Sequence, residues 1–203
     1  MKNIIKEFLK TTFINIRSVD RTKELHNSIL SEFKKQCPKY FEKYDWYFEK
    51  NISDAYGGKF KVDILGINKI TKKYIVILCK CNNSNIGKNI YNSANTTIGE
   101  AARLMYGNDK KIEKVLFVSI FPRKAPLFKQ DGSIRGFDLV EENYKNRINT
   151  SDILYEQYKG VVEEINIYYN IKGIDNKINK KDFQPIDVNE ISEMRMLYEY
   201  WII

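Results

Sequence analysis

Two apolar segments joined by a polar connector constrain this chain more than any other feature. They are Lys61-Val62-Asp63-Ile64-Leu65-Gly66 and Tyr74-Ile75-Val76-Ile77-Leu78-Cys79-Lys80-Cys81, with Asn68-Lys69-Ile70-Thr71-Lys72-Lys73 between them. The pattern predicts a β-hairpin. Side chains alternate faces along a strand, so Lys61, Asp63 and Leu65 share one face of the first strand. Val76, Leu78 and Lys80 share one face of the second, and Ile75, Ile77, Cys79 and Cys81 the other. Pairing through the connector then brings Asp63 and Lys80 to one cleft. Asp63 interrupts an apolar run, where a charge needs a partner or an ion. Plainer explanations compete: a strand-end acid paired with a surface lysine, and an edge-strand lysine that limits aggregation.

The rest of the pattern places this hairpin in an α/β domain. A helix starts near Ser18 or Asp20, presents Leu25, Ile29, Leu30 and Phe33, and stops at Pro38. Trp46-Tyr47-Phe48-Glu49-Lys50-Asn51-Ile52 reads as a strand, and Gly57-Gly58 turns into the next, 59–67. After the third strand, 74–81, comes a polar loop over 82–89 and a helix over about 90–106, ended by Gly107-Asn108. Lys114-Val115-Leu116-Phe117-Val118-Ser119-Ile120-Phe121 is a buried-type strand. The expected core, about 18–121, therefore runs α-β-β-β-α-β within one domain of 203 residues. Residues 122–203 read as additions: a basic loop, a helix over 151–171, and a C-terminal helix over about 189–201 carrying Ile191, Met194, Met196, Leu197, Tyr200 and Trp201. These form an added helical layer or a dimer surface.

Composition narrows the function classes. The net charge is +8 and the isoelectric point about 9.2, which suits a polyanionic partner, nucleic acid first and membrane surface second, beside the plainer account of a lysine-rich solvated surface. No apolar run reaches the roughly 18 residues of a membrane-spanning helix. Residues 1–10 mix charge into apolar positions and read as a short amphipathic helix, not a signal peptide. Cys37, Cys79 and Cys81 make no disulfide framework, so a cytoplasmic location is expected. A zinc reading would use all three cysteines and His26, but the spacing is that of neither a ribbon nor a finger, and buried free thiols are the better account.

The acid on the second strand, the late lysine on the third and the element order together resemble the PD-(D/E)xK nuclease superfamily, which includes many restriction endonucleases. Val62-Asp63 matches the first half of its motif and Cys79-Lys80 the end of the second. The resemblance implies a restriction-endonuclease-like core, Mg²⁺ held by two acids and by the main-chain carbonyl of Cys79, and Lys80 orienting or activating the attacking water. The chain departs from the motif at Leu78, where the second acid belongs, because leucine cannot ligate Mg²⁺. Some relatives supply that acid from the following helix, where Glu100 is the candidate; the alternative for Glu100 is a solvated acid paired with Arg103. Glu49 on the first strand is the other candidate ligand. A site without either would bind and not cut. The superfamily also places an acid or histidine on the first helix facing the metal, and His26, with Ile29 and Leu30 after it, has that spacing; Glu24 and Glu32 are weaker choices. A lone histidine inside an apolar arc is otherwise a satisfied core residue.

The expected substrate is double-stranded DNA. Lys88, Asn89 and Asn92 follow the proposed site, and Arg123, Lys124 and Arg135 lie in the basic loop after the last core strand. Lysines suit phosphate, and arginine reads guanine bidentately. A basic clamp around Lys172, Lys177, Lys180 and Lys181 is a further option beside a plain solvated tail. A palindromic target would call for a homodimer. The competing functions are a nuclease-fold protein that binds DNA or a partner without cutting, and an RNA- or structure-specific nuclease.

Overall fold

Ile75 and Ile77 point to one side of a strand and Val76 and Leu78 to the other, and all four are buried, so this strand needs a covering layer on each face. The computed structural model supplies both; it describes residues 8, 20–83, 86–108, 111–140, 142–144, 150–176 and 191–196. In chain order the elements are α1 (Asp20–Gln36), α2 (Pro38–Phe41), β1 (Tyr44–Ser53), β2 (Lys59–Asn68), β3 (Tyr74–Cys81), α3 (Ile86–Asn108), β4 (Ile112–Pro122), β5 (Lys124–Phe128), β6 (Ile134–Leu139), α4 (Ser151–Tyr158), β7 (Val162–Ile171) and β8 (Ile191–Met196). The main sheet has the order β1-β2-β3-β4-β7-β8, and β5 pairs with β6 apart from it. The chain is thus α/β. β1, β2 and β3 run antiparallel in succession, β3, β4 and β7 are parallel, and β8 returns antiparallel on β7.

Two cores lie against the two faces. On one, Leu25, Ile29 and Phe33 of α1 pack on Ile64, Ile75, Ile77, Leu116, Val118 and Ile120. On the other, Ala101 and Leu104 of α3 and Leu154 of α4 pack on Val62, Leu65, Val76, Leu78, Val115 and Phe117. Among the described residues no helix is long and apolar enough to cross a membrane. The expected helix over residues 1–10 falls outside the described residues except for Phe8, which is buried in the α1-side core.

Several expectations beyond the first hairpin are corrected. The helix expected over 151–171 is a two-turn helix followed by a strand. Lys159 and Gly160 both take left-handed φ, +50° and +76°, which ends α4, and the β-branched and aromatic run from Val162 then pairs with β4. The C-terminal helix is also overturned, because residues 191–196 form β8, which covers the edge of β7 that would otherwise be open; residues 197–201 of that expectation are outside the described set. The additions are therefore not predominantly helical. The polar loop is shorter than expected, since α3 begins at Ile86, where Ile86 and Ile90 bury against Phe121, Val140 and Tyr168. The basic loop contains the β5–β6 hairpin, closed by Lys129 N–H to Ser133 O at 2.8 Å, with Asp131 capping Ser133.

The end of α3 is pinned to the β1–β2 turn. Asp54 accepts from Tyr56 N and Gly58 N, each at 2.9 Å, and pairs with Arg103 at 2.6 Å, while Asn108 Nδ2 donates to Ser53 O. Gly107 makes this approach possible: a Cβ there would lie 2.5 Å from the Asp54 carbonyl carbon. Alanine gains about 1 kcal/mol of helix propensity over glycine, but overpacking against immovable backbone costs about 1–3 kcal/mol. Gly107→Ala should therefore lower stability in urea unfolding, whereas Gly99→Ala, with nothing within 4 Å of its Cβ, should raise it. An unchanged midpoint for Gly107→Ala would show that the turn and helix end move apart freely.

Candidate active site

The hairpin ladder stops short of its own ends. β2 and β3 pair from Ile67–Tyr74 to Ile64–Ile77, and beyond that point the strands part. Asp63 is the first residue past the fork, and its Oδ2 accepts the Cys79 N–H at 2.7 Å. Across β1, Glu49 has a left-handed φ of +50° and drops out of a ladder that is regular on either side of it. The face alternation of β2 slips here, so that Val62 and Leu65 reach one core and Ile64 the other.

That slip changes which groups meet. Asp63 was expected on the face of Leu65 and Lys80. Its carboxylate instead meets residues of the α1 side. His26 Nε2 lies 3.6 Å from Asp63 Oδ1, and one ligand atom from each of His26, Asp63 and Cys79 falls within 4.8 Å of the others. His26 is buried on the inner face of α1 and its ring stacks on Phe48 at 6.4 Å. Lys80 turns to the α3 side, where its Nζ lies 3.1 Å from Glu100 Oε2, 3.4 Å from Thr97 Oγ1 and 5.9 Å from the Phe117 ring centroid. The approach to Glu100 is oblique, and the buried Oε2 accepts no hydrogen bond. Glu100 is thus paired with Lys80 and not with Arg103, which belongs to Asp54.

Burial dominates the electrostatics. It pushes the Asp63 carboxyl above its ordinary value, against the lowering effect of the Cys79 N–H, His26 and Lys80. It holds His26 below the usual imidazole value, although Asp63 and Glu49 pull the other way. Burial, with Asp63 beside it, also puts the Cys79 thiol well above the ordinary thiol value. Burial therefore favours the uncharged form of each of the three groups.

Glu49 pairs with Lys61 at 2.5 Å on the surface, near enough to bear on the charge of His26 and Asp63. The remaining candidates lie elsewhere. Glu24 is exposed, and the buried Glu32 accepts from Gln36 Nε2 at 2.7 Å. Asn89 and Asn92 are exposed on the first turns of α3, and the Lys88 side chain is outside the described set. Lys124 pairs with Asp175 and lies over the Phe137 ring, Arg123 is half-buried between β4 and β5, and Arg135 is exposed on β6. Lys172 is exposed, and Lys177, Lys180 and Lys181 are outside the described residues. Cys81 Sγ lies 3.1 Å from Asn83 Oδ1.

A polar row beside Lys80 was missed. In the parallel register Lys80 aligns with Ser119 and Ser119 with Asn166, while Leu78 aligns with Phe117 and Phe117 with Glu164. Ser119, Glu164 and Asn166 are buried, and neither amide atom of Asn166 makes a well-formed hydrogen bond. Polar residues at 164 and 166 in an apolar run were the available signal, hidden by reading that segment as helix. Glu164 accepts from Thr150 N and Oγ1, and burial raises its carboxyl to about 7 despite those bonds. Below about pH 4.5 it is protonated folded and unfolded; between 4.5 and 7 only the unfolded chain ionises, so its contribution to stability falls as pH rises and is lost above 7. Glu164→Gln should raise the urea midpoint at pH 8 by the equivalent of about 3 kcal/mol relative to any change at pH 4.5. Equal effects at both pH values would rule out the raised carboxyl.

Comparison with protein-family models, curated proteins and solved structures finds no match for this chain.

Proposed function

We propose that this chain is a Mg²⁺-dependent endonuclease of the PD-(D/E)xK kind, acting on double-stranded DNA as a homodimer. One observation carries the reading: Asp63 sits where β2 and β3 part, and the Lys80–Glu100 pair flanks the same parting on the α3 side. The order α-β-β-β-α-β, with β2 antiparallel to β3 and β3 parallel to β4, supports a restriction-endonuclease-like core.

Asp63, the Cys79 main-chain carbonyl and Glu100 are the oxygen donors that would hold the ion, and Glu100, paired with Lys80 on the α3 side, would have to turn from that lysine toward Asp63 to do so. Bound there, Mg²⁺ supplies Lewis acidity toward the phosphate. Lys80, whose ammonium lies on the α3 side of the fork, would orient the attacking water and offset charge developing on the phosphate. Glu100 holds that ammonium in place and stands in for the acid absent at Leu78. His26 backs Asp63 from the α1 side.

A second reading has its own observation. Leu78 is packed into the α3-side core, and Asp63 is the sole carboxylate of the His26–Asp63–Cys79 group. That arrangement suits a protein that keeps the fold and binds DNA without cutting. Incubation with plasmid and phage DNA in Mg²⁺ or Mn²⁺ separates the two. Discrete fragments that disappear with Asp63→Ala support the nuclease; retention of DNA on a gel without cutting supports the binding module.

A further inference from the structure

An all-oxygen Mg²⁺ site uses Asp63 but gives neither the His26 imidazole nor the Cys79 thiol a place as a ligand. His26 and Cys79 offer a nitrogen and a sulfur, and Mg²⁺ prefers neither. We propose that His26 Nε2, an Asp63 carboxylate oxygen and Cys79 Sγ bind one thiophilic divalent cation, Zn²⁺ being the best fit.

The geometry points to such an ion. Tetrahedral zinc, with bonds of about 2.0–2.3 Å to nitrogen, oxygen and sulfur, puts its ligand atoms roughly 3.3–3.8 Å apart. The three ligand atoms already lie within 4.8 Å of one another, and His26 Nε2 is 3.6 Å from Asp63 Oδ1. Small rotations of the Cys79 and His26 side chains therefore close the shell. The donors come from three elements, α1, β2 and β3, and two are fixed independently of any ion. Asp63 Oδ2 is tied to the Cys79 N–H, which turns Oδ1 toward His26, and the His26 ring is held against Phe48. Three protein ligands leave a fourth position open, as in zinc sites that bind water or an anionic group. Asp63, a third exposed, gives that position access to solvent at the fork. On ligation the Cys79 thiol releases its proton to solvent and the sulfur donates as thiolate.

The proposal rests on the three donors and not on the nuclease reading, though the two ions would compete for Asp63. Co²⁺ reports the site without DNA. Titration of the full chain with Co²⁺ should give a thiolate-to-metal charge-transfer band and visible bands of a four-coordinate ion, saturating at one equivalent and bleached by Zn²⁺. Cys79→Ser should remove the charge-transfer band, Asp63→Asn and His26→Ala should weaken binding at least tenfold, and Cys37→Ser should change nothing. X-ray absorption at the zinc edge of the wild-type chain should show one sulfur among nitrogen and oxygen neighbours, a readout that does not depend on any variant folding. An all-oxygen zinc shell, or a charge-transfer band that survives in folded Cys79→Ser, overturns the proposal. DNA cleavage in Mg²⁺ with no sulfur-ligated metal would leave the nuclease reading standing alone; a sulfur-ligated ion with no cleavage would do the reverse.

Discussion

Lys80→Met should slow Mg²⁺-dependent DNA cleavage on the order of 10²–10³-fold, the range seen when one charge-stabilising group is removed from an active site. Methionine keeps an unbranched stem of similar length but removes the ammonium that lies beside Glu100, Thr97 and the Phe117 ring. The loss should fall on turnover and leave DNA affinity nearly unchanged, since one phosphate contact among many contributes little to binding. Lys80→Arg should recover little, because a planar guanidinium is not a point charge on a flexible stem. Lys61→Met is the matched control: a lysine of β2 whose partner, Glu49, is on the surface. Equal slowing by Lys80→Met and Lys61→Met would reduce the role of Lys80 to general positive charge. Glu100→Gln then tests the substitute acid. If Glu100 holds the ion, the variant should need more Mg²⁺ to reach half-maximal rate as well as turning over slowly.

The parts of this fold that could be read from the sequence are those whose local pattern and tertiary setting agree. The β2–β3 segments, the apolar face of α1 and the buried-type strand β4 all follow that rule. The failures have separate physical causes. The run from Val162 was read as a continuation of helix because α4 precedes it with only Lys159, Gly160 and Val161 between. The start of α3 was obscured by asparagine-rich composition, although Ile86 and Ile90 were spaced to bury on one face. β8 is a strand because β7 offers it an edge, and a lone segment cannot announce a partner from which it is separated by the residues between Ile171 and Ile191. At the site, Asp63 and Lys80 were singled out by strand pattern and element order, and His26 and Glu100 by what the resemblance to the nuclease superfamily implies. Their grouping did not follow from strict alternation, because the face of β2 slips at Asp63, opposite the left-handed Glu49 of β1. The sequence reading therefore put Asp63 with Lys80 on one face, whereas the carboxylate joins His26 and Cys79 and the ammonium joins Glu100.

Phe33→Ala should be the most damaging single truncation of the core, costing about 3–5 kcal/mol. Phe33 is fully buried, and its ring meets Trp46 edge-on at 5.2 Å, Phe41 at 6.3 Å and Tyr40 at 6.4 Å. These rings clamp α1 and α2 onto the start of β1, so alanine leaves a cavity that cannot close without moving a helix. For a chain of this length the loss corresponds to a fall in Tm of roughly 6–20 °C. Phe33→Leu keeps most of the volume and should cost under about 1.5 kcal/mol. Phe48→Ala, at a ring that is 44% exposed, should cost less than Phe33→Ala although it removes the same atoms. A loss below about 1 kcal/mol for Phe33→Ala would mean that α1 repacks easily. That outcome bears on the site as well, because Leu25, Ile29 and Phe33 seat the same inner face of α1 that carries His26 to Asp63. Loosening the helix by removing Phe33 should thus weaken any metal held by His26 along with the fold, while Gly107→Ala, acting at the far end of α3, should lower stability and leave that metal affinity unchanged.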